Sequence, residues 1–172
     1  MSTLELKELS HPAGEVLKIA AGKTLDLKSQ GSVTMPTGSV LQVVYGSTST
    51  EVTIATTTYT DTTLTATITP TSTSSKILVL WNQEVSLDTT YSGIGIKLLR
   101  DSTALYTSAT AYDVFCGIAL EMRIRPDWKY LDSPNTTSAI VYKTQVTSHS
   151  SRSIGLQSAT NESQIVLMEI QG

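Results

Sequence analysis

The 172-residue chain contains one cysteine, one phenylalanine and two histidines. A single thiol, Cys116, excludes an internal disulfide and any zinc site built from several cysteines. Its flanks, Val-Phe-Cys-Gly-Ile, read as a buried strand carrying an inert core thiol. The two imidazoles, His11 and His149, lie far apart, and His149 sits in the serine-rich run SHSSRS, so no shared metal site is expected. Charge is sparse: charged residues make up 16% of the chain and the formal net charge is −3. The scattered Lys and Arg form no basic face for nucleic acid. No run approaches the roughly 18 apolar residues of a membrane helix. The opening stretch MSTLELKELSHPAG lacks a basic region followed by an apolar run, so we expect no export signal, no membrane insertion and a soluble chain.

Catalytic signatures are missing too: there is no Gly-x-Ser-x-Gly elbow, no His-Glu-x-x-His and no phosphate-cradling glycine loop. Glycoside cleavage would need two carboxylates flanking a bond. The available ones are Glu84, Asp88, Asp101, Asp113, Glu121 and Asp127. They fall on outward strand positions or at strand ends where Asp forms turns. We therefore expect no catalytic residue, no cofactor and no enzyme.

What the chain has in abundance is hydroxyl: 28 Thr and 22 Ser, interleaved with Val, Ile and Leu. Threonine is β-branched and suits a pleated, half-buried surface. With 40% hydrophobic residues, this composition reads as folded β structure rather than a disordered Ser/Thr tract.

Residues 14–46, GEVLKIAAGKTLDLKSQGSVTMPTGSVLQVVYG, repeat every eight residues. Apolar pairs two apart recur as Leu17 and Ile19, Leu25 and Leu27, Val33 and Met35, Leu41 and Val43. A spacing of two places each pair on one strand face, with Lys18, Asp26, Thr34 and Gln42 facing out. Gly14, Gly22, Gly38 and Gly46 keep the same beat and read as turns between short strands. Units this thin cannot bury their apolar side alone and must stack on neighbours or copies. Three intertwined chains would give these side chains a common trimer axis; the competing reading is ordinary hairpin strands whose spacing coincides.

From residue 40 onward the pattern is a succession of strands. We expect them over Val40–Tyr45, Glu51–Ala55, Leu64–Thr69, Lys76–Leu87, Tyr91–Arg100, Ala104–Tyr106, Val114–Arg125, Ser138–Thr147 and Ser163–Gln171. Turn-forming residues punctuate them every 8 to 12 residues, as in a β-sandwich or jelly roll. Trp81, in the run ILVLW, is expected in the core. Trp128 and Tyr130, in RPDWKYLD, are expected on a loop, where they either pack over one end of the sandwich or contact a ligand. The fold expectation is all-β, with an arm (1–13), a repeat shaft (14–39) and a sandwich (40–172), assembled as an intertwined trimer.

The segments PTGSVLQVVYG (36–46), YTDTTLTATITPTSTSSKILVLWNQEVS (59–86), KLLRDST (97–103) and IVLMEI (165–170) resemble the tail-fibre-like virion proteins of marine bacteriophages, of the cyanophage and marine alphaproteobacterial phage type. The run T-x-L-T-A-x-I-T-P-T-S-x-S-S-K-I-L-V is the most specific part, and MSTLELKEL is a looser match to their leaders. The resemblance implies a non-enzymatic, trimeric building block of the virion surface, assembled in the host cytoplasm. It would be a capsid decoration, a head fibre or a short fibre subunit, partnered by itself and by capsid or fibre-base proteins. Leu4, Leu6 and Leu9 of the short arm are then the candidate virion anchors. An alternative is a receptor-binding module gripping host-surface glycans through Trp128, Tyr130 and His149.

Overall fold

The computed structural model describes residues 21–22, 35–87, 91–118 and 121–172. Leu4, Leu6, Leu9, Leu17, Ile19, Leu25, Leu27 and Val33 lie outside the described residues. Apart from residues 21–22, all that follows concerns one unit, Met35–Gly172. No helix among the described residues is long and apolar enough to cross a membrane.

Among the described residues, thirteen strands form in chain order: β1 (Val40–Thr48), β2 (Val52–Ile54), β3 (Thr60–Ile68), β4 (Lys76–Asn82), β5 (Val85–Leu87), β6 (Ser92–Arg100), β7 (Thr103–Thr107), β8 (Val114–Cys116), β9 (Met122–Ile124), β10 (Asp127–Asp132), β11 (Ile140–Ser148), β12 (Ile154–Leu156) and β13 (Ser163–Ile170). All pairings are antiparallel. They build three sheets, ordered β1-β13-β4-β10, β3-β11-β6-β7 with β8 also on β6, and β2-β12-β5-β9.

The hydrophobic contacts turn three sheets into two layers. One cluster joins the first sheet to one half of the second: Ile77, Val79, Trp81, Ile165 and Leu167 meet Leu64, Ile68, Leu98 and Tyr142. A second cluster joins the other half to the third sheet: Ile94, Ile96 and Val146 meet Val85, Leu87, Ile154 and Leu156. The nine-residue strands β6 and β11 thus serve both cores. This is a β-sandwich in which one layer is a continuous sheet and the other is two short sheets. Cys116 is buried in the second cluster and Trp81 in the first, as their flanks implied.

The joint between the short sheets explains a run of buried polar residues. The expected strand Lys76–Leu87 is broken at Gln83 and Glu84, which separate β4 from β5. Backbone groups released at such a break must find other partners. The Gln83 N–H donates to the Pro126 carbonyl at 3.3 Å and the Glu84 N–H to Ser163 Oγ at 2.9 Å. Ser163 Oγ also accepts from the side-chain amides of Gln83 (3.0 Å) and Gln157 (2.7 Å). Thr144 Oγ1 donates to Gln83 Oε1 at 3.2 Å, and the Ser158 N–H donates to the Glu84 carboxylate at 2.8 Å. These polar groups mark the joint between the two short sheets.

Four expectations change. The period-two run Val114–Arg125 is not one strand: β8 pairs with β6 in one sheet and β9 with β5 in another. Trp128 and Tyr130 are not on a loop, because Asp127–Asp132 alternates outward and inward as strand β10, pairing Trp128 with Trp81. Gly38 takes φ +89° at a turn, but Gly46 lies inside β1 with no positive φ. A Cβ there would stand 2.4 Å from the Thr65 carbonyl oxygen, so its role is close approach between strands. Finally, a bulge at Leu41 shifts the register of β1. Gln42 turns inward and donates to Glu169 Oε2 at 2.6 Å, while Val43 stands exposed on the outer face.

Candidate functional site

Of the sequence-designated contact residues, Trp128 and Tyr130 face inward from β10. Trp128 stacks on Trp81, ring centroids 6.0 Å apart and planes 15° from parallel, and packs against both cores. Tyr130 packs against the first core. Their rings therefore complete the interior at the edge of the sandwich, since every second residue of a strand points the same way.

His149 lies elsewhere, among exposed aromatics that the sequence did not single out. Its Nδ1 is 3.0 Å from the Tyr91 carbonyl oxygen and its Nε2 2.8 Å from the Tyr112 hydroxyl. A carbonyl can only accept, so Nδ1–H donates to it, and in the neutral imidazole Nε2 then accepts from the Tyr112 O–H. The rings of Tyr112 and Phe115 meet edge-on at 4.9 Å, His149 sits 4.8 Å from Tyr112 and 5.3 Å from Phe115, and Tyr91 lies 6.4 Å from Phe115. Tyr91, Tyr112 and Phe115 are all exposed. Tyr91 (φ 56°) and Ser150 (φ 52°) hold left-handed backbone where the chain bends to deliver these groups. Residues 58 and 37 positions apart are brought together here, so no local motif could have revealed the cluster.

Beside the aromatics lies a shallow depression lined by hydroxyls and small side chains, among them Thr57, Tyr59, Ser108, Thr110 and His149. Tyr59 donates to the Ser108 carbonyl at 3.1 Å, and Lys97 Nζ stands 4.1 Å above the Tyr59 ring centre. Burial and then the charge of Asp113 push the Tyr59 phenol above its ordinary range. Asp113 itself accepts from the Ile96 N–H at 2.9 Å and from the Ser108 hydroxyl. The surface offers ring edges, hydroxyls and one oriented imidazole. Such a surface suits stacking and hydrogen bonding to a polyhydroxylated ligand.

Several carboxylates among the described residues are engaged within the fold. Asp132 binds Arg100 and Tyr142, Glu169 binds Thr71 and Gln42, Asp101 caps the Val141 N–H at 3.0 Å, and exposed Glu121 pairs with Arg123 at 2.8 Å. Among the described residues, no three of His, Cys, Asp and Glu converge as metal ligands. Of the expected trimer-axis residues, Met35 and Val43 are exposed and Leu41, at the bulge, is half-buried.

No protein-family model matches the chain. No curated protein matches it either. Among solved structures, it is similar to the D431N mutant VP2 protein of infectious bursal disease virus in derived T=1 particles. That match has a TM-score of 0.47 and 10% identity, over 86% of this chain and 40% of the other. It is also similar to the structure of the infectious bursal disease virus Gx strain, with a TM-score of 0.45 and 11% identity, over 87% of this chain and 42% of the other. The chain thus spans about two fifths of the length of these neighbours. At these scores neither likeness bears on function. The class that fold and surface define is an antiparallel β-sandwich with an exposed aromatic cluster.

Proposed function

We propose that the chain is a non-enzymatic structural protein of a phage particle surface, a homotrimeric capsid decoration, head fibre or short fibre subunit. The observation that carries this reading is how its polar chemistry is used. Asp132, Glu169, Gln83 and Thr144, polar groups of the kind that could serve a reaction, are instead hydrogen-bonded across strands and layers. The resemblance of residues 36–46, 59–86, 97–103 and 165–170 to virion fibre proteins supports the same reading, as does the exposure of Val43 and Met35. The test is quantitative mass spectrometry of purified particles. Hundreds of copies per virion mean decoration, a few to a few dozen mean a fibre, and absence from particles sinks the proposal.

A second reading, glycan recognition at the host surface, is favoured by one observation, the exposed cluster of Tyr91, Tyr112, Phe115 and His149. Trp128 and Tyr130, turned inward, leave that role to the cluster. Tyr112→Ala combined with Phe115→Ala is expected to lower adsorption to host cells at least about tenfold, since stacking contributes ~1 kcal/mol or more per ring. The thermal unfolding midpoint serves as the control for folding. Unchanged adsorption would remove this reading.

A further inference from the structure

An antiparallel sheet in water normally packs one face on the core and solvates the other. The continuous β3-β11-β6-β7 sheet does so. Its outer face carries Asp61, Thr65, Thr67, Lys143, Gln145 and Lys97, and Lys143 pairs with Asp61 at 3.0 Å. The β1-β13-β4-β10 sheet does not. Its register places Val43, Met168, Leu78 and Leu131 in one row across all four strands. The adjacent row is Tyr45, Val166, Leu80 and Lys129, and Val40 lies beside Ile170 on the other flank. Val43 is 57% exposed, Tyr45 56% and Leu131 54%. Charge is confined to the border, at Lys76, Lys129 and Asp127.

We propose that this outer face is the contact between copies of the chain, turned toward a shared threefold axis; the inference rests on the homotrimer reading above. Three arguments select this occupant. The central row, Val43, Met168, Leu78 and Leu131, carries no hydrogen-bonding group, so it is matched by an equal apolar row, and each copy supplies one. Four strands about 4.8 Å apart, each six to nine residues long, give a face of roughly 400–500 Å² in projection, so the three faces of a trimer together cover about 1,200–1,500 Å², the low end of stable interface sizes. A triangle whose sides are about four strands wide also has its centre roughly 5 Å from each side. That is half the ~10 Å spacing of packed sheets, so side chains from three copies fill the middle without a void.

The experiment is the native mass of the full chain, alone and with Val43→Glu plus Leu131→Glu. Both side chains point outward, so neither change disturbs the sandwich core. The unaltered chain should run at three times its 18.5 kDa mass. The double variant should run as monomer, its trimer dissociating at least about 100-fold more readily because six buried carboxylates would face one another. Thr67→Glu, on the outer face of the other layer, should stay trimeric. A monomeric unaltered chain overturns the homotrimer reading itself. An unaltered trimer that survives both glutamates overturns only the assignment of this face. Hydroxyl-radical footprinting of the unaltered trimer needs no variant. Tyr45, 56% exposed in the single chain against 52% for Tyr112, should be modified several-fold more slowly than Tyr112, and equal rates would overturn the assignment.

Discussion

Asp132→Ala should be the most damaging single change to the sandwich, costing about 3–5 kcal/mol in chemical unfolding. Asp132 is nearly fully buried at the end of β10. Its two oxygens lie 2.9 and 2.8 Å from one Arg100 guanidinium nitrogen, and the Tyr142 hydroxyl donates to it at 2.7 Å. Burial, and then the hydrogen bond to Asp132, push the Tyr142 phenol above its ordinary range, so at neutral pH it stays a donor. Removing the carboxylate strands a largely buried cation and a buried hydroxyl together. Arg100→Met in the Asp132→Ala background should recover part of the loss, because apolar replacement of a whole buried pair is far cheaper than breaking it. A loss below about 1 kcal/mol for Asp132→Ala would show that water reaches the cluster and that it holds little. The three residues belong to β6, β10 and β11, so they tie the edge strand of the four-stranded sheet to the opposite layer.

The parts of this architecture that are local in the chain could be read from its sequence. Alternation of apolar and hydroxylated residues located β1, β3, β4, β6, β11 and β13, and Asp101 makes the expected turn of the β6–β7 hairpin with φ 52°. Lys76–Leu87 was too long because the polar pair Gln83-Glu84 is a strand break, a signal present but outweighed by its apolar flanks. Trp128 and Tyr130 were misplaced because charged neighbours look like loop, although Asp-Trp-Lys-Tyr-Leu-Asp has the two-residue period of a strand. β12 is three residues around a glycine and gives almost no pattern. The aromatic cluster and the split of Val114–Arg125 between two sheets are decided by pairing partners distant in sequence, which no local period encodes.

The same distinction applies to the apolar outer face. Three strands of that sheet carry apolar residues on the outer face, as in Val43 and Tyr45, Leu78 and Leu80 or Val166 and Met168, and each taken singly looks like ordinary core. Only the cross-strand register shows that the other face, with Val79, Trp81, Ile165 and Leu167, already fills the core. Two apolar faces on one sheet is a parallel-sheet signature in an antiparallel sheet, and it calls for a second layer. A protein built to stand among copies of itself would supply that layer by assembly.

Glu169 gives the sandwich its acid sensitivity. The side chain is fully buried on β13, and all its partners are donors: Thr71 N–H at 2.7 Å, Thr71 Oγ1 at 2.7 Å and Gln42 Nε2 at 2.6 Å. Burial opposes ionisation, but the donors around it, with Ser75 alongside, win and hold the carboxyl below the ordinary glutamate range. A depressed folded-state pKa means the unfolded chain takes up the proton first as pH falls. The contribution is therefore complete above about pH 5 and is lost as pH drops through the lower folded-state value. Glu169→Gln puts an amide N–H₂ against donors and removes the charge, so it should cost about 2–3 kcal/mol at pH 7. A protonated glutamic acid has the same mismatch. The urea midpoints of the two proteins should accordingly converge as pH falls below the ordinary glutamate range. Parallel curves over that range would mean that Glu169 is not the titrating group. Convergence would place the acid-labile clasp between β13, Gln42 of β1 and the Thr71 turn, at the edge of the sheet whose outer face we assign to assembly. Trimer and sandwich should then weaken together as pH falls.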